Sequence, residues 1–231
     1  MRQAATWWRV ARLVAAKDLR IEWRSRVVTN QVVPFAGLVL VMFAFALDVE
    51  SVLQRVAPGL VWLAIVFSQF FLVQRAFAVE TADGALDALR VAGVDLAGVF
   101  VGKALALMVQ LLSLVALLLA GAVLLYRAEV RANGLVLLVT TAVAATAGLA
   151  VVGTLYGGVT AGARGRETLL PLLLAPVVAP VLIAAARATE AALGTAGTAL
   201  SDGWPWVGVL LTFAVAFGVV GTVAFGPLIE E

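Results

Sequence analysis

The sequence predicts an all-α integral membrane protein in which six transmembrane helices follow an amphipathic interfacial helix. Hydrophobic residues make up 63% of the 231 residues and charged residues only 13%, against about 45–50% and about 25% in soluble globular domains. A soluble surface cannot be formed from so few charges, whereas a bilayer tolerates several long apolar runs in one chain. Seven of the 16 basic residues lie within the first 26 positions.

The first 26 residues predict a helix that lies in the membrane interface and forms a unit of its own (1–26), ahead of the six-helix domain (27–231). At about 100° per residue the basic and the apolar side chains separate onto two sides of this helix. The basic side faces anionic lipid headgroups, and the Trp side chains lie at headgroup depth. The basic residues of the segment are Arg2, Arg9, Arg12, Lys17, Arg20, Arg24 and Arg26.

Two acidic residues interrupt the apolar side of this helix. Asp18 and Glu22 are spaced i,i+4, and carboxylates directed at lipid are costly. We therefore expect both to face protein, with Arg26 within ion-pairing reach of Glu22. The alternative is a rotated or frayed helix whose acidic residues are solvated.

Six segments are apolar enough to cross a bilayer, which takes about 20 residues each. With the N-terminus in the cytoplasm, four of the 16 Lys and Arg residues lie outside (Arg55, Arg127, Arg131 and Arg187) and the other twelve lie inside. This bias follows the positive-inside rule, so both termini are expected in the cytoplasm. The predicted spans are 27–47, 56–78, 99–125, 134–159, 168–187 and 205–228.

The cytoplasmic connection at 79–92 predicts a short helix that docks on a soluble partner. Leu86 and Leu89 share one helical face, and Gly84 permits a sharp bend or a close backbone approach. An apolar knob with an acidic rim suits a groove on another protein. The alternative is a solvated connecting helix. The acidic rim consists of Glu80, Asp83 and Asp87.

Polar residues and prolines within the spans are the remaining candidates for function. Trp62 and Gln69 are seven residues apart and face the same way, so they are candidates for lining a path between subunits; the alternative is packing, with Gln69 hydrogen-bonded to a neighbouring helix. Pro171, Pro176 and Pro180 fall within one span and each removes a helical hydrogen bond. They predict a span that is bent or partly broken near its outer end, as a gate or as a static kink.

The residue types that are missing exclude several kinds of site. The chain has no His and no Cys, which excludes a His-based catalytic triad, a disulfide and a thiolate metal site. The stretch 162–167 lacks the Lys and the hydroxyl of a nucleotide-binding P-loop. We therefore expect no enzyme activity here, no bound metal and no nucleic-acid partner, and any ATP must be hydrolysed by another protein.

The pattern Glu-x-x-x-Gly-x-Leu-x-x-Leu at 80–89, after a basic interfacial helix and before Lys103, resembles six-span permeases of the ABC-exporter (ABC-2-like) type. Four stretches in order along the chain resemble more closely the CcmB family, the permease of cytochrome c maturation. Arg164 and Arg166 also lie where that family has a basic, Gly-containing turn. The four stretches are 17–20 with Arg24, 57–62, 77–89 and 176–183.

The resemblance implies a location in the bacterial inner membrane and a set of partners. These are an ATPase subunit (CcmA-like) that holds ATP and magnesium and contacts the 80–90 helix, haem-handling membrane subunits (CcmC/CcmD-like), a periplasmic haem chaperone (CcmE-like) and a second copy of the chain. It also implies that ATP hydrolysis releases the haem-loaded chaperone, and that the partner subunits handle the haem.

Haem iron is usually held by His, Cys, Met or Tyr. Because the chain has no His and no Cys, we expect it to supply no axial ligand. The residues of these types that it contains are Met1, Met42, Met108, Tyr126 and Tyr156.

Two alternatives remain for the function as a whole. One is an exporter permease for a lipid, glycan or drug, and the other is a membrane scaffold that transports nothing.

Overall fold

Helices make up most of the chain in the computed structural model, which describes residues 2–47, 49–82, 91, 93–126, 132–161 and 165–230. No β-strand occurs in those ranges. A π-helical turn, Val28–Val32, leads into the second helix, and short 3₁₀ turns precede the fifth and seventh. The helices are α1 (Arg2–Ser25), α2 (Val33–Ala46), α3 (Glu50–Ala82), α4 (Leu96–Tyr126), α5 (Leu135–Thr160), α6 (Arg166–Leu193) and α7 (Trp204–Glu230).

The six predicted spans are confirmed, because the described residues contain six helical segments long and apolar enough to cross a membrane. With an even number of spans, α1 and the end of α7 lie at the same face of the bundle, which we call the α1 face. The C-terminal end of α3 and the N-terminal ends of α4 and α6 lie there too. The segments are Val28–Ala46, Ser51–Ala78, Leu96–Tyr126, Ala132–Thr160, Glu167–Leu193 and Leu200–Leu228.

The fifth span is longer than its apolar run predicted. We expected it to end at residue 187, but α6 continues to Leu193. Three of the six added residues are alanine, a strong helix former. The Glu190 carboxylate is paired, because Arg187 donates to it at 3.0 Å from one turn earlier. Gly194, with φ of 67°, then ends the helix in the left-handed conformation that glycine adopts readily.

The same helix is continuous through three prolines, so the partial break is absent, while the expected bend stays a prediction. Pro176 and Pro180 are exposed on the outer side of α6. The opposite side is packed into the bundle through Leu170, Leu174, Val178 and Val181, each at most 1% exposed. This packing explains why α6 stays helical despite Pro171, Pro176 and Pro180.

The centre of the bundle is α5, which packs against α3, α4, α6 and α7. Glycines allow this close approach. A Cβ atom at Gly153 would lie 2.8 Å from Gln69 Nε2, and one at Gly157 would lie 2.5 Å from the Phe77 ring. Without a hydrophobic effect between helices in lipid, such small-residue contacts supply much of the packing.

The N-terminal helix α1 packs along α4 rather than standing apart from the bundle. Ala11 is fully buried, and a Cβ atom at Gly102 of α4 would lie 2.6 Å from the Ala11 carbonyl oxygen. Gly98, one turn earlier, is similarly close to Trp7 and Val10. Two glycines four residues apart therefore form a shallow groove on α4 for α1.

Candidate functional site

A buried lysine at the α1 face joins three helices. Lys103 is 3% exposed, and its Nζ donates to Asp18 Oδ2 of α1 and to the Ala76 carbonyl oxygen of α3, both at 3.3 Å. The same ammonium lies 4.7 Å from the centroid of the Phe77 ring, a cation–π geometry. A buried ammonium is tolerated only with such partners, so α1, α3 and α4 are held together at this point.

Asp18 faces protein, as its place on the apolar side of α1 predicted. Its Oδ1 lies 3.0 Å from Lys17 Nζ, and its side chain is 13% exposed. The acidic residue was identified from the sequence, but Lys103, which lies 85 positions away, was not identified as its partner. The sequence contained a signal for this pair, because Lys103 is a single cation in an otherwise apolar span and such a cation needs an acidic partner.

Glu22 binds the backbone instead of the expected Arg26 side chain. Its Oε1 accepts a hydrogen bond of 2.6 Å from the Val28 amide, and the bond between Glu22 and Arg26 is a backbone one, from the Arg26 amide to the Glu22 carbonyl oxygen at 2.8 Å. Arg26 has φ of 52°, a left-handed conformation that ends α1 and moves its side chain away from the i+4 position. Glu22 therefore caps the start of the first span.

A cavity of about 40 Å³ lies beside the ion pair, between α1, α3 and α4. Its lining combines both carboxylates of α1 with Lys103, Arg75 and Gln110. The volume admits a few water molecules at most. Within the described ranges no three His, Cys, Asp or Glu side chains cluster as a metal site would require. The arrangement is that of a structural junction between helices.

Most of the predicted docking helix lies outside the described residues. This applies to Asp83, Gly84, Leu86, Asp87 and Leu89, while Glu80 is in the last turn of α3 with only its backbone described. The helices on either side of this segment are described. Ala76 and Lys103 each lie about two turns from the helix end that adjoins it, so the junction is close to both ends of the connection.

Trp62 and Gln69 lie in the interior of the bundle and not on an exposed face. Trp62 is 1% exposed and its Nε1 donates to Thr189 Oγ1 of α6 at 2.8 Å. Gln69 is fully buried and its Nε2 donates to the Leu149 carbonyl oxygen of α5 at 2.8 Å. Both side chains make the hydrogen bonds between packed helices that the alternative predicted, although the Gln69 Oε1 atom is buried without a partner in the described part of the chain.

Comparison with known proteins gives one consistent family. The CcmB protein family matches residues 9–230. Heme exporter protein B of Paracoccus denitrificans is 31% identical over 175 residues, covering 75% of this chain and 79% of that protein. The protein of the same name from Rhodobacter capsulatus is 30% identical over 173 residues, covering 74% and 78%. That from Haemophilus influenzae is 28% identical over 180 residues, covering 78% and 80%.

Proposed function

The chain belongs to the CcmB protein family, and from this we propose that it is the permease subunit of a haem export complex driven by a separate ATPase. The proposal is supported by relatives named heme exporter protein B and by six segments able to span a membrane. The sequence has no P-loop of its own. ATP and magnesium accordingly belong to a CcmA-like partner.

The observation that carries the coupling part of the proposal is the Lys103 junction. The predicted docking helix is continuous in the chain with α3 on one side and α4 on the other. Movement of the ATPase against Leu86 and Leu89 would act on the adjoining ends of these helices. The Lys103 contacts to Asp18 and to Ala76 would then move α1 together with them, as one unit.

The cargo step that suits this chain is release of a haem-loaded chaperone. A chain without His or Cys lacks the commonest axial ligands of haem iron. CcmC/CcmD-like membrane subunits would therefore hold the haem and transfer it to a CcmE-like chaperone in the periplasm. This permease and its ATPase would supply the energy for release. Two ATPase subunits need two docking helices, which is the reason to propose two copies of the chain.

The proposed location is the bacterial inner membrane, with the α1 face in the cytoplasm. Twelve of the 16 Lys and Arg residues then lie inside, since the other four are at outer positions. The ATPase would meet the α1 face, because ATP is a cytoplasmic substrate. Anionic lipid headgroups of the inner leaflet would contact the basic residues of α1.

The test replaces Leu86 and Leu89 of the predicted docking helix in the complete complex. The variant Leu86→Glu/Leu89→Glu should abolish co-purification of the ATPase and cytochrome c maturation, because two carboxylates cannot enter an apolar groove. The matched control is Val49→Glu in the connection between α2 and α3, at the opposite face of the bundle; Val49 is exposed, so its replacement should leave both readouts unchanged. An unchanged yield of ATPase with the double variant would contradict the docking role.

A second experiment separates this function from its alternatives. Pull-down from native membranes should recover an ATPase and a haem chaperone together. Recovery of an ATPase without proteins of cytochrome maturation would favour an exporter for a lipid, glycan or drug. Recovery of partners that is unaffected by Leu86→Glu/Leu89→Glu would favour a membrane scaffold.

A further inference from the structure

A second cavity at the α1 face lies between the first span, α3 and α6. Its volume is about 340 Å³, and Arg75 is the one lining residue that it shares with the 40 Å³ cavity beside Lys103. Gln31 lies near the start of the first span, Arg75 near the end of the second and Glu167 at the start of the fifth. Three span ends at one membrane face place this groove at headgroup depth.

Two opposite charges line the groove without pairing. Neither Arg75 nor the Glu167 carboxylate has an ion-pair or hydrogen-bond partner within the described part of the chain. Their helices are nevertheless held in register, since Gln74 Nε2 donates to the Glu167 carbonyl oxygen at 3.0 Å. A fixed cation and a fixed anion that share a groove and do not neutralise each other are complementary to a ligand that carries both charges.

The groove becomes apolar with depth. Phe35 lies one turn further into the membrane than Gln31, and Phe71 one turn further than Arg75. Their rings pack edge to face, with centroids 5.5 Å apart, and the two residues are 36% and 54% exposed. Polar groups at one end and exposed aromatic rings at the other follow the polarity of a phospholipid from headgroup to acyl chain.

We propose that this groove binds a phospholipid with a zwitterionic, primary-amine headgroup, namely phosphatidylethanolamine. The Arg75 guanidinium and the exposed Gln31 amide bind the phosphate, the Glu167 carboxylate accepts hydrogen bonds from the ammonium, and the acyl chains pack on Phe35 and Phe71. Phosphatidylcholine has a quaternary ammonium with no N–H to donate, and phosphatidylglycerol places no cation against Glu167. The proposal rests on the charges of the groove and does not depend on what the complex exports.

The test compares lipids that differ only in the headgroup. Purified, delipidated protein is titrated with phosphatidylethanolamine, phosphatidylcholine and phosphatidylglycerol of identical acyl chains, and bound lipid is counted by native mass spectrometry. Phosphatidylethanolamine should bind roughly tenfold tighter than phosphatidylcholine, the factor expected for one charge-assisted hydrogen bond. Soluble glycerophosphoethanolamine should bind far more weakly than the lipid, because it leaves Phe35 and Phe71 uncovered.

Two variants and one control identify the groove. Glu167→Gln should remove the preference for phosphatidylethanolamine over phosphatidylglycerol, and Arg75→Gln should weaken binding of all three lipids by roughly tenfold. Arg55→Gln replaces an exposed arginine at the other end of α3 and should change nothing. Size-exclusion chromatography checks that each variant remains folded.

Three outcomes would overturn the proposal. The first is equal affinity for the three headgroups in the unaltered protein. The second is lipid binding that survives Arg75→Gln unchanged. The third is that Arg75→Gln converts a dimer to a monomer while the headgroup preference is retained. That result would show that the groove is a contact between copies of this chain.

Discussion

Lys103 Nζ and Asp18 Oδ2 lie 3.3 Å apart, although the two residues are 85 positions apart in the chain. The Lys103 side chain is 2% exposed and that of Asp18 is 13% exposed, so solvent and salt screen this pair only weakly. The pair connects the N-terminal helix to the bundle at the face where the predicted docking helix joins α3 and α4. Separation of α1 from α4 would leave a buried ammonium without its carboxylate.

The first prediction concerns this ion pair. Asp18→Ala should lower stability by about 3–5 kcal/mol, because it takes the carboxylate away from a buried ammonium. Lys103→Met should cost less, because Asp18 keeps its contact with Lys17. The double variant Asp18→Leu/Lys103→Met should be close to the unaltered protein, since packed apolar residues can replace a buried pair. Thermal unfolding in detergent measures each effect.

The matched control for that series is Lys17→Met. Lys17 Nζ lies 3.0 Å from Asp18, but its side chain is 44% exposed. Such a solvated pair contributes about 0–1 kcal/mol. A loss on Lys17→Met as large as that on Lys103→Met would show that burial does not set the strength of the interaction.

The second prediction concerns the groove on α4 that receives α1. Gly102→Leu should displace α1, because even a Cβ atom at this position would lie 2.6 Å from the Ala11 carbonyl oxygen. Trypsin should then cleave α1 at Arg12, Lys17 and Arg20 faster than in the unaltered protein.

Gly37→Leu is the control for this displacement, since a Cβ atom at Gly37 in α2 meets nothing within 4 Å. Its cleavage rate should match that of the unaltered protein. Equal cleavage of the Gly102→Leu and Gly37→Leu variants would mean that the close contact does not hold α1 in place.

The third prediction concerns the hydrogen bond between α3 and α6. Thr189→Val should destabilise the protein by about 1–3 kcal/mol, because the Trp62 Nε1–H group would stay buried without an acceptor. Thr189→Ser keeps the hydroxyl and should cost less. Thr212→Val should cost little, since Thr212 is exposed and its hydroxyl bonds only within its own helix. Thermal midpoints that fail to separate Thr189→Val from Thr212→Val would count against this role.

The fourth prediction concerns haem. Titration of haem into the purified chain should give no stoichiometric, axially ligated absorption spectrum, because the chain has no His or Cys. Among the tyrosines, Tyr126 is 1% exposed and its hydroxyl donates to the Leu40 carbonyl oxygen at 2.7 Å, so that hydroxyl is already engaged. The same titration into detergent alone is the blank. A ligated spectrum at one haem per chain would contradict the proposed division of labour.

The sequence alone determined the membrane class, the number of spans and the protein-facing side of α1. Insertion into a bilayer depends on summed hydrophobicity within a window of about 20 residues, so six apolar runs were sufficient to predict six spans. The cost of a carboxylate in lipid is equally local. It predicted that Asp18 faces protein without any knowledge of the partner.

Only the tertiary structure decided which residues meet. It paired Asp18 with Lys103, directed Glu22 to the Val28 amide, and placed Trp62 and Gln69 inside the bundle. It also brought Arg75 and Glu167 into one groove from different helices. The physical reason is that helix faces are oriented by small-residue contacts such as those at Gly102 and Gly153, which depend on two distant segments at once and so cannot be read from a local window.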